Sequence, residues 1–195
     1  MLCRSRYGAA VDYAGIVDEA LDRLRAEGRY RTFAEIERIP GTAGATLRAA
    51  DGTSRRVVVW CSNDYLGMAA HRDVTAAIAG AAGYGAGSGG TRNISGTTSM
   101  HVALERELAS WHRKEAALLF SSGWVANYTA LGVLGSVLPE CVVYSDAANH
   151  NSMIEGIRRS GATVRVFRHN DAEHLAQLLR DEDPSRARVV AFESV

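Results

Sequence analysis

Lysine is nearly absent from this sequence: it occurs once, at Lys114, although lysine and arginine together number 22. Cysteine is scarce and scattered, at Cys3, Cys61 and Cys141. That odd number, with no CxxC pair and no His at zinc-finger spacing, argues against a disulfide framework and against any metal site. Reduced thiols in a cytoplasmic protein are the expectation. A surplus of either charge is missing too, since Asp and Glu also number 22. A balanced surface offers no footprint for nucleic acid or anionic lipid. No apolar run approaches the ~20 residues that a helix needs to cross a membrane. Proline occurs only three times against 19 glycines, a balance that suits tight turns and glycine-lined ligand loops better than a linker or a disordered tail.

What is present is a chain of 195 residues, 47% apolar, long enough for one sizeable domain with a packed core. Residues 12–27 put Ile16, Val17, Ala20, Leu21 and Leu24 on one helical face, and Gly28 follows where a stop belongs. Residues 29–56 show no clear period. Val57–Trp60 reads as a buried strand, Cys61–Gly67 as a polar loop, and Asp73 to about Ala82 as an Ala-rich helix. Beyond the glycine-rich loop 83–98, helices are expected at Ser99–Arg113, Trp124–Leu134, Ser152–Arg159 and after an Asn170 cap with Glu173 at its capping-box position. Strands are expected at Ala116–Phe120, Cys141–Tyr144, Thr163–Phe167 and Arg188–Phe192. Apolar strands alternating with helices predict an α/β fold, a mainly parallel sheet covered by helices on both faces.

Four local signals carry chemistry. Gly85-Ala86-Gly87-Ser88-Gly89-Gly90 matches G-x-G-x-x-G, but no strand precedes it and no helix opens directly after it, so the dinucleotide reading fails on context. A ligand-approach loop and a purely structural loop remain open. Ser121-Ser122-Gly123-Trp124 has strand–turn–helix context, and the unpaired N–H groups of a helix start hold phosphate well; many such turns bind nothing. His150 follows a strand end, where ligands dock in open α/β sheets. It is either a cap or an imidazole that stacks on a planar group or moves a proton. Arg31 is an ordinary surface charge by composition alone.

Taken in order, the segments GRYRTF (28–33), VWCSNDYLGM (59–68), GAGSGGTRNISGT (85–97), KEAALLFSSGWVAN (114–127), YSDAANHNSMIEGI (144–157), FRHND (167–171) and AFESV (191–195) resemble the 5-aminolevulinate synthases, a branch of the α-oxoamine synthases. The resemblance covers about residues 12–195. It implies the large domain of the fold-type I aminotransferase architecture, with pyridoxal 5'-phosphate as cofactor. It also implies a partition into an N-terminal extension (1–11), an N-terminal helix and connecting segment (12–56), and the first part of the cofactor-binding domain (57–195).

By the same resemblance, Gly123 and Trp124 offer backbone N–H groups to the cofactor phosphate. His150 stacks on the pyridine ring as a catalytic residue, and Tyr65 and Arg92 are further cofactor contacts. Arg31, Thr91 and Asn93 read the succinyl carboxylate, because a guanidinium matches a carboxylate bidentately. Asn63 reaches the glycine carboxylate, and Ser145 lies near the acyl-CoA. The implied reaction condenses glycine with succinyl-CoA to give 5-aminolevulinate, a haem and tetrapyrrole precursor, in a homodimer. The alternatives are a relative that uses another acyl-CoA, or a lysine-free non-catalytic partner subunit. NDYLG, the Ser-Ser-Gly turn and FRHND do not separate these; GRYRTF and GGTRNISGT are the more selective. No Cys-Pro dipeptide occurs, so the haem-regulatory motif of animal synthases has no counterpart. The reading frame is expected to continue past Val195 through a Tyr-Ser-Met-Asp-Gly-like stretch to the Schiff-base lysine, and residues 1–195 alone are expected to be inactive. Translation is expected to begin at Val11.

Overall fold

The computed structural model describes residues 11–194; of the expected extension 1–11, residues 1–10 lie outside them. The chain forms two compact units that divide between Gly87 and Ser88.

The first unit opens with α1 (Tyr13–Ala26), whose first turn is capped by Asp12 accepting from Gly15 N–H at 3.0 Å. Gly28 follows with φ +66, as the sequence suggests. The apolar stripe of α1 is present and partly covered: Ala20, Leu21 and Leu24 are half-buried, while Ile16 and Val17 are more than half exposed. The segment without a period is an antiparallel meander of β1 (Glu35–Arg38), β2 (Gly44–Arg48) and β3 (Ser54–Val58), in the order β1-β2-β3. The expected buried strand Val57–Trp60 is corrected here. The strand begins at Ser54, ends at Val58 and is mostly exposed. Its pairing partner β2 supplies Ala45, the one fully buried side chain among the described residues of this unit. Arg48 on β2 pairs with Glu37 at 2.7 Å and Glu35 at 3.6 Å across the ladder. α2 (Arg72–Ala81) starts one residue earlier than expected, because His71 Nδ1 caps Asp73 N–H.

The second unit carries the parallel sheet. α3 (Ser99–Trp111) begins in a capping box of Thr98 with His101. α4 (Gly123–Val137) leads to β4 (Val142–Asp146), α5 (Asn151–Ser160), β5 (Thr163–Phe167), α6 (Ala172–Arg180) and β6 (Arg188–Ala191). The strand order is β5-β4-β6, all parallel. Side chains of β4 alternate between the faces. Val143, with Cys141 just before the strand, packs with Met153 and Ile157 of α5 and Leu131 of α4. Val142 and Tyr144 pack with Leu175, Leu178 and Leu179 of α6. Helices therefore cover both faces, as the alternating pattern predicts. Val142, Val143 and Tyr144 are fully buried, and burial of this kind stabilises by roughly 1.5–3 kcal/mol per large apolar side chain.

Two expectations change. Ala116–Phe120 forms no strand, because no neighbour among the described residues offers it a ladder. The cap of α6 is Asp171, which accepts from His174 N–H at 2.8 Å. Asn170 instead adopts φ +58 in the turn before it, a conformation Asn tolerates better than most residues. The apolar face of α3 is largely open, with Trp111 76% exposed and Ala109 the buried residue of the helix.

Candidate active site

The C-terminal ends of β4 and β6 gather the polar groups of the second unit, the edge at which open α/β sheets bind ligands. Ser145, the penultimate residue of β4, is buried, and its Oγ accepts from Asn149 Nδ2 at 3.0 Å. The same Nδ2 donates to the carbonyl of Ala191 on β6 at 2.8 Å, which ties the two strand ends together. Asn149 Oδ1 is buried with no hydrogen-bond partner among the described residues. Asp146 accepts from Ala148 N–H (2.8 Å), Asn170 N–H (3.0 Å) and His169 Nδ1 (2.9 Å). These bonds, the Ala148 N–H foremost, hold its carboxyl below the usual carboxylate range. FRHND is thus read by the structure as a corner fastened onto the end of β4.

His150 is the N-cap of α5. Its Nδ1 accepts from Ser152 N–H at 3.1 Å and lies 2.7 Å from Ser152 Oγ. Its own backbone N–H donates to Glu193 Oε2 at 2.5 Å. Asn127, on α4, reaches Ser152 Oγ at 3.1 Å. His150 is therefore bonded to the helix that begins at Gly123 through one intervening hydroxyl.

At the start of α4, Ser122 Oγ accepts from Val125 N–H at 3.2 Å and the Ser122 carbonyl from Ala126 N–H at 3.0 Å. Gly123 and Trp124 precede Ala126, the first residue whose backbone N–H finds an intrahelical acceptor, so their own N–H groups point out of the helix end. A Cβ built at Gly123 would meet nothing within 4 Å, so the approach is open. The Trp124 ring stacks on Tyr128, with centroids 5.1 Å apart.

The glycine-rich loop closes in a π-helical turn, Arg92–Gly96. Gly96 lies against the backbone of Gly90, where any Cβ would overlap the Gly90 carbonyl. Thr91 Oγ1 donates to Asn93 Oδ1 at 2.8 Å, which turns the Asn93 amide donor outward from that bond. Arg92 is committed elsewhere. Its guanidinium holds both oxygens of Glu105, at 2.8 and 3.2 Å, and the Leu119 carbonyl at 2.9 Å. Leu119 N–H returns a bond to Glu105 at 2.7 Å. Arg92, with Leu119 N–H second, draws the Glu105 carboxyl down to about 2.

Arg31, Asn63 and Tyr65 belong to the first unit. Arg31 is exposed in the segment after α1, with no side-chain hydrogen bond among the described residues. Asn63 and Tyr65 are exposed in a turn that Ser62 and Asp64 brace. Ser62 Oγ accepts from Asp64 N–H at 3.2 Å, and Asp64 Oδ1 from Ala69 N–H at 3.2 Å. The second unit joins Ser145 to the His150 loop through Asn149, and Thr91 to Asn93. Asn127, Asn149, Ser152 and Glu193 are the members that sequence reasoning missed. The signal was available in Asn149-His150-Asn151-Ser152, where polar residues directly follow a buried strand and have to be bonded.

Residues 55–195 match the family model described as aminotransferase class I and II. The chain is 57% identical to 5-aminolevulinate synthase 2 of Cereibacter sphaeroides over 187 residues, 95% of this chain and 46% of that protein. Identity to the 5-aminolevulinate synthase of Paracoccus denitrificans is 51% over the same shares. The erythroid-specific mitochondrial 5-aminolevulinate synthase of Opsanus tau is 47% identical over 96% of this chain and 33% of its own length. The chain spans about half the length of the bacterial relatives it matches. Among solved structures, serine palmitoyltransferase of S. paucimobilis with a bound PLP–myriocin aldimine superposes with a TM-score of 0.73 at 27% identity, over 91% of this chain and 43% of that one. Serine palmitoyltransferase of Sphingomonas wittichii does so at 0.73 and 25%, over 94% and 45%. A parallel sheet with polar groups massed at its strand ends, a helix start open beside them and a family match over most of the length lead to one conclusion: this chain belongs to the aminotransferase class I and II family.

Proposed function

We propose that the whole protein carrying this chain is a pyridoxal 5'-phosphate enzyme that condenses glycine with succinyl-CoA, releasing CoA and CO2 and forming 5-aminolevulinate. The observation that carries the reading is the 57% identity to a named 5-aminolevulinate synthase along 95% of the chain. The local geometry fits the cofactor: two outward N–H groups at the start of α4, beside a glycine with open space on its Cα, suit a phosphate. When bound, pyridoxal 5'-phosphate supplies the electron sink for a carbanion at the glycine α-carbon.

The chain's own residues do the holding. Gly123 and Trp124 donate N–H to the phosphate, and the His150 ring lies against the pyridine. Tyr65 and Arg92 are the outer cofactor contacts in this reading; the clamp on Glu105 makes Arg92 a fixed cation in the wall, not a mobile ligand. Arg31, Thr91 and Asn93 bind the succinyl carboxylate, whose charge separates succinyl from neutral acyl groups. Asn63 takes the glycine carboxylate, and Ser145 the neighbourhood of the acyl-CoA. The reading includes a homodimer in the cytoplasm. No helix among the described residues is long and apolar enough to cross a membrane.

The test is product analysis of the whole protein with glycine, pyridoxal 5'-phosphate and either succinyl-CoA or butyryl-CoA. Formation of 5-aminolevulinate with a clear preference for succinyl-CoA is expected. A preference for the neutral thioester reassigns the acyl substrate, and no condensation with either removes the reaction.

A further inference from the structure

Asn127, Ser152 and His150 form a file of side chains whose hydrogens all run one way. Asn127 Nδ2 donates to Ser152 Oγ at 3.1 Å. Ser152 is fully buried, and its Oγ lies 2.7 Å from His150 Nδ1. Ser152 N–H approaches the same Nδ1 at 3.1 Å. A backbone N–H only donates, so Nδ1 is an acceptor and carries no proton. The Ser152 hydroxyl already accepts from Asn127, and its own hydrogen is left to point at Nδ1. A neutral ring held in this way has its proton on Nε2, because the partner of one ring nitrogen sets the state of the other. Two donors converging on one nitrogen also resist rotation of the ring about its Cβ–Cγ bond. The His150 backbone is fixed separately, by Glu193 at the end of β6.

From this geometry we infer that Asn127 and Ser152 are positioning residues, which set the tautomer and the plane of the His150 ring on which the cofactor stacks. The cofactor half of the inference rests on the proposed function; the tautomer half does not. The design buries the intervening hydroxyl of Ser152 and leaves Asn127 half-buried behind it. Asn127 is on α4, the helix whose first residues are assigned to the phosphate, so one helix would align both the phosphate and the ring that faces the pyridine.

The experiment is nitrogen NMR of the whole protein with ring-labelled histidine, with pyridoxal 5'-phosphate and after its removal. The His150 signal is identified by its loss in His150→Asn, a substitution that keeps a good helix cap. Wild type is expected to show a protonated Nε2 and a bare Nδ1 in both states. Asn127→Asp offers the Ser152 hydroxyl an acceptor where it had a donor, so the hydroxyl turns away and the single-tautomer signature is lost in part, since Ser152 N–H still donates to Nδ1. Ser152→Ala is expected to lose it in part, since Ser152 N–H remains in either residue. With cofactor, the induced circular dichroism of the pyridoxal band is expected to fall in both variants. A wild-type proton on Nδ1, or an unchanged ring signal in both variants, overturns the relay. A changed ring signal with unchanged dichroism overturns its role toward the cofactor. Absence of any induced dichroism in wild type counts against the proposed function and leaves the tautomer result readable.

Discussion

At the scale of single residues, Arg31 and Glu105 make opposite commitments. Arg31 has no partner among the described residues, which suits a cation reserved for a substrate carboxylate. In the whole protein, Arg31→Leu is expected to lower kcat/KM for succinyl-CoA about 30- to several-thousand-fold. A lost charged hydrogen-bond pair costs roughly 2–5 kcal/mol, and ~1.4 kcal/mol is tenfold in rate. Butyryl-CoA should lose far less; steady-state kinetics with both thioesters read the difference, and equal losses remove Arg31 from the acyl pocket. Glu105 is spent entirely inside the fold, with its carboxyl drawn from the usual 4.5 to about 2 by Arg92 and then by Leu119 N–H. A depressed carboxyl stabilises above its unfolded value and loses that contribution as pH falls through its folded value. The Arg92 clamp is therefore expected to weaken between pH 4.5 and about 2. Denaturant midpoints measured across that window should fall less steeply with acid in Glu105→Gln, which starts without the carboxylate. An identical acid slope in both proteins would show that the pair contributes nothing.

At the scale of elements, α4 and α5 approach each other through glycine. A Cβ at Gly156 would come 2.8 Å from the Tyr128 carbonyl oxygen and 2.9 Å from Tyr128 Cα, and backbone cannot step aside as a flexible side chain can. Gly156→Ala is expected to destabilise by about 1–3 kcal/mol, the usual cost of overpacking, read as a lower denaturant midpoint. An unchanged midpoint would mean that the two helices slide at little cost. The sheet of the second unit was legible because each strand is a short apolar run between helical patterns, and Leu175, Leu178 and Leu179 announce the buried face of α6. The meander of the first unit was not. Its strands bury little beyond Ala45 and carry charges such as Arg48, Glu35 and Glu37 that pair across the ladder, so no period of two stands out. Its turns, Pro40-Gly41-Thr42 and Asp51-Gly52-Thr53, both contain glycine at positive φ, a signal that periodicity alone passes over. Asn170 misled for a related reason, since Asn serves both as a cap and as a left-handed turn residue, and Asp171 one position on was the better acceptor. In the site, His150 was visible as a lone imidazole at a strand end. Asn127 was not, because its contact with Ser152 spans 25 positions and exists only once α4 and α5 pack.

At the scale of the whole molecule, the chain's single lysine matters again. Lys114 follows α3 in an exposed turn, where its backbone N–H bonds the Ala109 carbonyl. The 195-residue chain incubated with pyridoxal 5'-phosphate and borohydride is expected to give no specific adduct at Lys114 and no 5-aminolevulinate, by peptide mass mapping and product assay. A stoichiometric adduct there would assign it a role that its position does not suggest. The order β5-β4-β6 has a consequence for how such a protein is made. Among the described residues, both outer strands of this sheet present a row of unpaired backbone donors and acceptors, which is a template for any passing strand. Synthesis proceeds from the N-terminus at about 5–20 residues per second, so these borders stay exposed until any strand made later covers them. On a crowded polysome the neighbouring nascent copy offers identical strands, and parallel pairing is slow to find its register. Early capture of these borders by a holdase would then limit cross-pairing between neighbouring copies.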